Sequence, residues 1–328
     1  MLGFITRRVL YMIPTFIAVS IVAFAIIQLP PGDYLTTLVA SMASQGETVD
    51  PAALEALRAR YGLGEPMYVQ YFKWMSNIFL RGDFGHSFEW NQPVIDLIWS
   101  RLALTFMLSL STLLFVWAVA LPVGIYSAVR QYSLGDYTFT FLGFIGLAIP
   151  NFLLALVLMY VAFKYFNQSV GGLFSPEYQE AAWTWAKLKD LLAHLWIPIV
   201  IIGTAGTASL IRVMRANLLD ELHKPYVVTA RAKGLPEWQV IMRYPVRVAL
   251  NPFVSTIGWV LPALISGEAI VSIVLSLPTT GPLLLRSLMS QDMYLAGSFI
   301  LMLSTLTILG TLLSDILLAL LDPRIRLE

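Results

Sequence analysis

Six stretches of this chain, each 21 to 28 residues long, run free or nearly free of Lys, Arg, Asp and Glu. They are Val9–Leu29, Leu102–Val129, Tyr137–Phe163, Leu191–Ile211, Leu250–Leu277 and Tyr294–Leu321. A bilayer core needs about 20 mostly apolar residues per helix, so each stretch is long enough to cross one. Only Glu268 in the fifth, Asp315 in the sixth and His194 in the fourth bring an ionisable acid or imidazole into them. Charged residues make up 12% of the chain, against about 25% in a soluble domain, while 58% is hydrophobic and the mean hydropathy is +0.73. Too few polar groups remain to cover an outside facing water, which argues against a soluble enzyme or a disordered regulator. The net charge of +1 leaves no strongly basic face for nucleic acid. With no cysteine present, disulfides, thiolate chemistry and Cys-based zinc sites are excluded.

The sequence therefore predicts an all-α integral membrane protein of six transmembrane helices. Arg7 and Arg8 precede the first span and Ala23-Phe24-Ala25 imitates a cleavage site, but 21 apolar residues exceed an ordinary signal core and no polar segment leads to that site, so the span is expected to be retained. With the N-terminus inside, the inner segments hold 12 Lys/Arg against 6 Asp/Glu, and the outer ones 9 against 12. The positive-inside rule then places both termini in the cytoplasm. Pro14, Pro122, Pro150, Pro198, Pro262 and Pro278 punctuate the spans. Proline removes a helical hydrogen bond and kinks the rod; it is also simply commoner in membrane helices.

Two loops exceed plain connectors. In the outer segment 30–101, Asp50 caps a helix starting at Pro51 and running to Gly62. A second helix begins at Pro66 and sets Val69, Phe72, Met75, Ile78 and Phe79 at helical spacing beside Tyr71 and Trp74. It lies on the membrane surface or packs on the bundle, either as a lid over helix ends or as a docking surface for an outside partner. In the inner segment 212–249, Arg231 and Lys233 fall in the last turn of a helix, where cations suit the dipole. Gly234 follows as the residue able to close it in the left-handed conformation, and Pro236 with Glu237 opens a second helix. A loop that only obeyed the charge rule would need no such corner.

At this corner the chain resembles a known family. Tyr226-Val227-Val228-Thr229-Ala230-Arg231-Ala232-Lys233-Gly234-Leu235 is similar to the cytoplasmic coupling loop of binding-protein-dependent ABC importer permeases, in the form typical of their dipeptide/oligopeptide/nickel branch. Arg7-Arg8, Pro31-Gly32-Asp33, Arg58-Ala59-Arg60-Tyr61-Gly62-Leu63, Gly82-Asp83-Phe84-Gly85 and Leu321-Asp322-Pro323-Arg324-Ile325-Arg326 extend the resemblance along the whole chain. It is nearest in form to the first permease subunit of a dipeptide importer. Two departures stand out: Val228 replaces the motif's glutamate, and the fifth span ends Pro278-Thr279-Thr280-Gly281 where the branch has Pro-Gly-x-Gly, with Ser272 at a usual glutamate position and Glu268 one turn earlier.

The resemblance implies a type I ABC importer transmembrane domain in a bacterial or archaeal plasma membrane. Residues 1–29 would form the first span, 30–101 the outer helical loop, 102–321 the five-helix core and 322–328 the cytoplasmic tail. Thr229, Ala230, Arg231, Ala232, Lys233, Gly234 and Leu235 would meet the ATPase, while Glu268, Ser272 and Asn151 are candidates for the translocation path. No Gly-Lys dipeptide and no H-E-x-x-H occurs, and three scattered histidines make no metal cluster. The chain is thus expected to be no enzyme and to hold no cofactor or metal, with ATP and Mg on two partner ATPase subunits. A second permease subunit, a solute-binding protein and membrane lipid complete the partners. Short peptides are the implied cargo, with oligosaccharides the runner-up and nickel behind. Two other readings compete: an ion-coupled carrier using Glu268 and Asp315 as a proton relay, and a non-transporting scaffold. Asp315 is otherwise an inner-edge anchor or partner of a tail arginine, His194 is expected to be solvated at the outer interface, and most of the nine tryptophans fit interfacial belts.

Overall fold

The computed structural model of the chain describes residues 2–28, 65–87, 89–166, 171–179, 181–251, 253–255 and 269–321. Its elements are α1 (Leu2–Gln28), α2 (Met67–Arg81), a two-residue hairpin β1 (His86–Ser87) and β2 (Gln92–Pro93), α3 (Val94–Val129), α4 (Leu134–Ala148), α5 (Asn151–Phe166), α6 (Trp185–Leu222), α7 (Pro225–Ala232), α8 (Glu237–Arg243), α9 (Pro245–Ala249), α10 (Ala269–Val274), α11 (Thr280–Met289) and α12 (Met293–Leu321). Among the described residues four helices, within α1, α3, α6 and α12, are long and apolar enough to cross a membrane, and α4 with α5 adds a fifth candidate. Of the expected fifth span, residues 252 and 256–268 lie outside the described residues, as does the whole helix expected from Pro51 to Gly62.

The centre of the bundle is the parallel contact of α3 with α6, in which Val116 meets Gly203 and Gly206 while Gly124 meets Ile211 and Met214. Along α3 the buried positions Thr105, Leu108, Ser109, Thr112, Val116, Ala120 and Gly124 recur every three or four residues, so one narrow stripe of small side chains faces inward. Lipid supplies no hydrophobic drive between helices, and small residues allow the close approach that packing forces need. A Cβ on Gly124 would stand 2.6 Å from Met214 Cβ, and one on Gly203 2.8 Å from the Phe115 ring. Large apolar side chains such as Phe141, Phe144, Leu156, Tyr160 and Phe163 point outward instead.

The third predicted span departs from a single rod. Its two halves, α4 and α5, meet at 101°. Ile149 is extended (φ −83°, ψ 120°), the backbone that a following proline favours, and Pro150 has no N–H to continue the ladder. Pro14, Pro122 and Pro198 by contrast sit inside continuous α1, α3 and α6. Pro278 lies in the turn between α10 and α11, where Ser276 takes φ +52°.

In the outer layer α2 packs on the bundle. Trp74 and Met75 are buried with Phe24, Val94, Ile98, Leu283, Leu295 and Phe299, while Phe72 and Phe79 are two-thirds exposed. Gly82 closes α2 in the left-handed conformation (φ +64°), and Gly85 (φ +91°) lies where a Cβ would meet Tyr294 Cδ1 at 2.6 Å. Fully buried Asp292 ties the hairpin to α12: its carboxylate accepts from Ser87 Oγ at 2.5 Å and from the Leu295 N–H at 3.2 Å. Arg286 pairs with Glu89 at 2.6 Å.

Candidate functional site

The corner begins with the length of α6. Its 38 residues continue 11 beyond Ile211, the end of the apolar stretch, which at 1.5 Å per residue carries the chain about 16 Å farther. His223 and Lys224 turn the chain, and Pro225 opens α7 at a position whose N–H has no helical partner. Thr229 Oγ1 donates back to the Pro225 carbonyl at 2.9 Å. Arg231 stands in the last turn as expected, and Lys233 is the capping residue just beyond it. Gly234 takes φ +77° and donates its N–H to the Arg231 carbonyl at 2.9 Å. No atom lies within 4 Å of where its Cβ would be, so backbone conformation alone selects glycine here.

Pro236 proves to be the cap before α8 rather than part of its first turn. Its ψ of 141° is extended, and Glu237 becomes the first helical residue. There the Arg231 guanidinium reaches across the bend, Nη2 to Glu237 Oε1 at 2.7 Å and Nε to the same oxygen at 3.1 Å. Arg231 holds the Glu237 carboxyl below its ordinary range, and Glu237 in turn raises Arg231. Beneath the bend Val227, Ala230 and Val240 are buried together, with Leu235 and Tyr244 packed beside them. The corner thus has a small core of its own. Tyr226 donates to Glu221 Oε2 at 2.5 Å; burial first and this acceptor second push its phenol upward, so it stays protonated. Thr229, Arg231, Ala232, Lys233 and Gly234 are exposed, as are Val228 and Trp238. The bend therefore presents an exposed apolar and cationic knuckle on a core of its own.

The path candidates are dispersed. Glu268 lies outside the described residues. Ser272 is buried in α10, and Asn151 is half-buried as the first residue of α5, directly after the Pro150 break. One edge assignment needs correction. His194 is 6% exposed rather than solvated, because Nδ1 bonds the Asp190 carbonyl at 2.8 Å and the loop at 171–178 covers this end of α6. Asp190 itself accepts from Ser175 N and Oγ at 2.7 and 2.6 Å. Asp315 pairs with Arg8 of α1 at 3.1 Å, across the packed first and last helices; the tail arginines lie outside the described residues.

One arrangement carries no motif. Asp136, 2% exposed at the start of α4, receives Arg215 of α6 in a fork, Nε to Oδ1 and Nη2 to Oδ2, both at 2.9 Å. The Tyr132 N–H adds a third bond at 3.0 Å. In the sequence Asp136 is one of six acids spread over the inner segments; only its burial singles it out. Among the described residues no group of three His, Cys, Asp or Glu is placed to hold a metal ion.

Residues 120–327 match the family of binding-protein-dependent transport system inner membrane components, and residues 1–110 match the N-terminal family of the same membrane components. The oligopeptide transport system permease protein AppB of Bacillus subtilis is 36% identical over 327 residues, covering 99% of each chain. The dipeptide transport system permease protein DppB of Escherichia coli K12 is 31% identical over 343 residues, again 99% of each. The oligopeptide permease protein OppB of Haemophilus influenzae is 30% identical over 99% of this chain and 100% of its own.

Proposed function

Because the chain belongs to the binding-protein-dependent transport system inner membrane component family, the permeases of ABC importers, we propose that it forms half of a translocation path for short peptides handed over by an extracytoplasmic binding protein. It is a membrane permease subunit and not an enzyme, and it works with other ABC components. The other half of the path is a second permease subunit. Two ATPase subunits supply the energy and hold the ATP and Mg, and their closure presses on Thr229–Leu235.

The observation that carries this reading is the corner at Gly234, held by Arg231 and Glu237 and mounted on the extended end of α6. A stiff bend with its own core passes displacement on, where a slack loop would absorb it. Nucleotide favours one state of the ATPase pair, and that differential affinity shifts the population of permease states. Peptide as cargo is supported by full-length likeness to oligopeptide and dipeptide permeases. The Pro278-Thr279-Thr280-Gly281 sequence leaves oligosaccharide as the alternative.

The test is ATP hydrolysis by the reconstituted complex with its binding protein, challenged with short peptides and with oligosaccharides. Stimulation by peptides is expected. Stimulation by oligosaccharides alone transfers the cargo to that class. Uptake by this chain alone, driven by an ion gradient without ATP, overturns the importer mechanism.

A further inference from the structure

We infer that Asp136 and Arg215 are positioning residues that clamp α4 to α6, so that the two helices move as one body and carry displacement of the inner corner to the Ile149–Pro150 break. The inference rests on the importer reading above and goes beyond it. Three contacts repeat along the antiparallel pair in one register. The fork joins Asp136 to Arg215 at the inner end. Seven residues along each helix, a Cβ on Gly143 would lie 3.7 Å from Ala208 Cβ; one turn farther, a Cβ on Gly146 would lie 2.7 Å from Thr204 Cγ2. Glycines on α4 bring the helices close, and the fork fixes their register where the contact ends.

The placement gives the clamp its role. Arg215 lies seven residues before Leu222, and α6 is unbroken from there back to Trp185. Force on α7 and α8 therefore reaches Arg215 along a continuous helix. On the other side Asp136 is the third residue of α4, whose far end is the 101° bend. Beyond that bend α5 starts with Asn151. A buried carboxylate with three donors, two of them in a planar fork, holds one orientation rather than a range of them. Removing one partner leaves the other charge uncompensated, so the natural pair resists sliding.

The chain has no cysteine, so a disulfide can be placed at will. The Gly143–Ala208 separation falls within the Cβ–Cβ range that a disulfide spans. In proteoliposomes holding the full complex and its binding protein, Asp136→Asn should keep ATP hydrolysis within about twofold while ATP-driven peptide uptake falls roughly tenfold, a loss usual for coupling between distant sites. Gly143→Cys with Ala208→Cys, oxidised, should restore uptake to Asp136→Asn, and reductant should withdraw the rescue. Cross-linking yield of the pair in the otherwise natural chain should be equal in nucleotide-free, ATP-bound and vanadate-trapped complexes. A yield that changes with nucleotide state overturns the clamp whatever the solute. So does unchanged uptake in Asp136→Asn, or hydrolysis and uptake falling together. Absence of peptide uptake by the natural complex overturns the peptide reading alone, since cross-linking yield does not depend on cargo.

Discussion

Gly234 concentrates the chemistry of the corner in one backbone angle. Its φ of +77° with open space around the missing Cβ separates strain from collision. Gly234→Ala should therefore cost about 1–2 kcal/mol of local stability, the price of a left-handed residue with a side chain. Gly234→Asn should cost less, because asparagine visits that region more readily. Peptide uptake per inserted complex should rank Gly above Asn above Ala; equal uptake by all three means the bend is not required. Glu237, across the same bend, makes the corner sensitive to acid. Its proton is bound less tightly beside Arg231 than in an unfolded chain, so its contribution is fully present above the ordinary carboxylate range, near pH 4. It is lost as pH falls through the lowered value. Amide exchange over 231–240, corrected for intrinsic rate, should be slower in the natural chain than in Glu237→Gln at neutral pH, and the two should converge in acid. This site was legible in the sequence because cations, glycine, proline and acid follow one another within seven residues. Asp136 and Arg215 were not, since 79 residues separate them and no local pattern joins one to the other.

Helices announced themselves wherever local spacing sufficed. The stripe through Met75 and Ile78 reappears in α2, with Pro66 as the extended cap before Met67 rather than the first helical residue, though the buried edge runs through Trp74 and Met75 and leaves Phe72 and Phe79 outward. Which edge is buried depends on α1, α3, α11 and α12, and no local pattern encodes those neighbours. The break at Pro150 was hidden for a related reason. Proline also stands in α1, α3 and α6, where the helix runs on, so proline alone does not separate a kink from an end. Asp292 presents the same difficulty, because its partner Ser87 is 205 residues away. Its burial at the head of α12 yields a firm expectation. Asp292→Ala leaves the Ser87 hydroxyl and the Leu295 N–H without their acceptor, which costs about 2 kcal/mol. The melting midpoint of the detergent-solubilised protein should fall by roughly 5 °C, and protease should reach the 86–93 hairpin sooner. A midpoint within 1 °C of the natural chain, on the same scale, would assign the hairpin's anchorage to Arg286 and Glu89 instead.

At the scale of the whole molecule, first and last helices lie against each other, and the side that charge bias assigns to the inside carries their ion pair. Arg8 and Asp315 come from opposite ends of the sequence, yet antiparallel packing of α1 and α12 brings them to one level. This explains how Asp315 is accommodated without a proton relay: a carboxylate with 19% exposure has a guanidinium at 3.1 Å. Arg8 is 41% exposed, so solvent and headgroups screen the pair. Its contribution is therefore about 1 kcal/mol or less, a matter of alignment more than of strength. Arg8→Ala should lower the melting midpoint by only a few degrees, whereas Arg8→Asp, which sets two carboxylates together, should lower it further. Combining Arg8→Asp with Asp315→Arg should recover most of that loss, because the geometry accepts either direction of charge. A relay predicts otherwise: Asp315→Asn would abolish transport while leaving the fold intact. The ion pair predicts that Asp315→Asn keeps ATP-driven uptake and gives up a little stability. Uptake and melting measured on the same Asp315→Asn preparation therefore separate an anchor from a proton carrier.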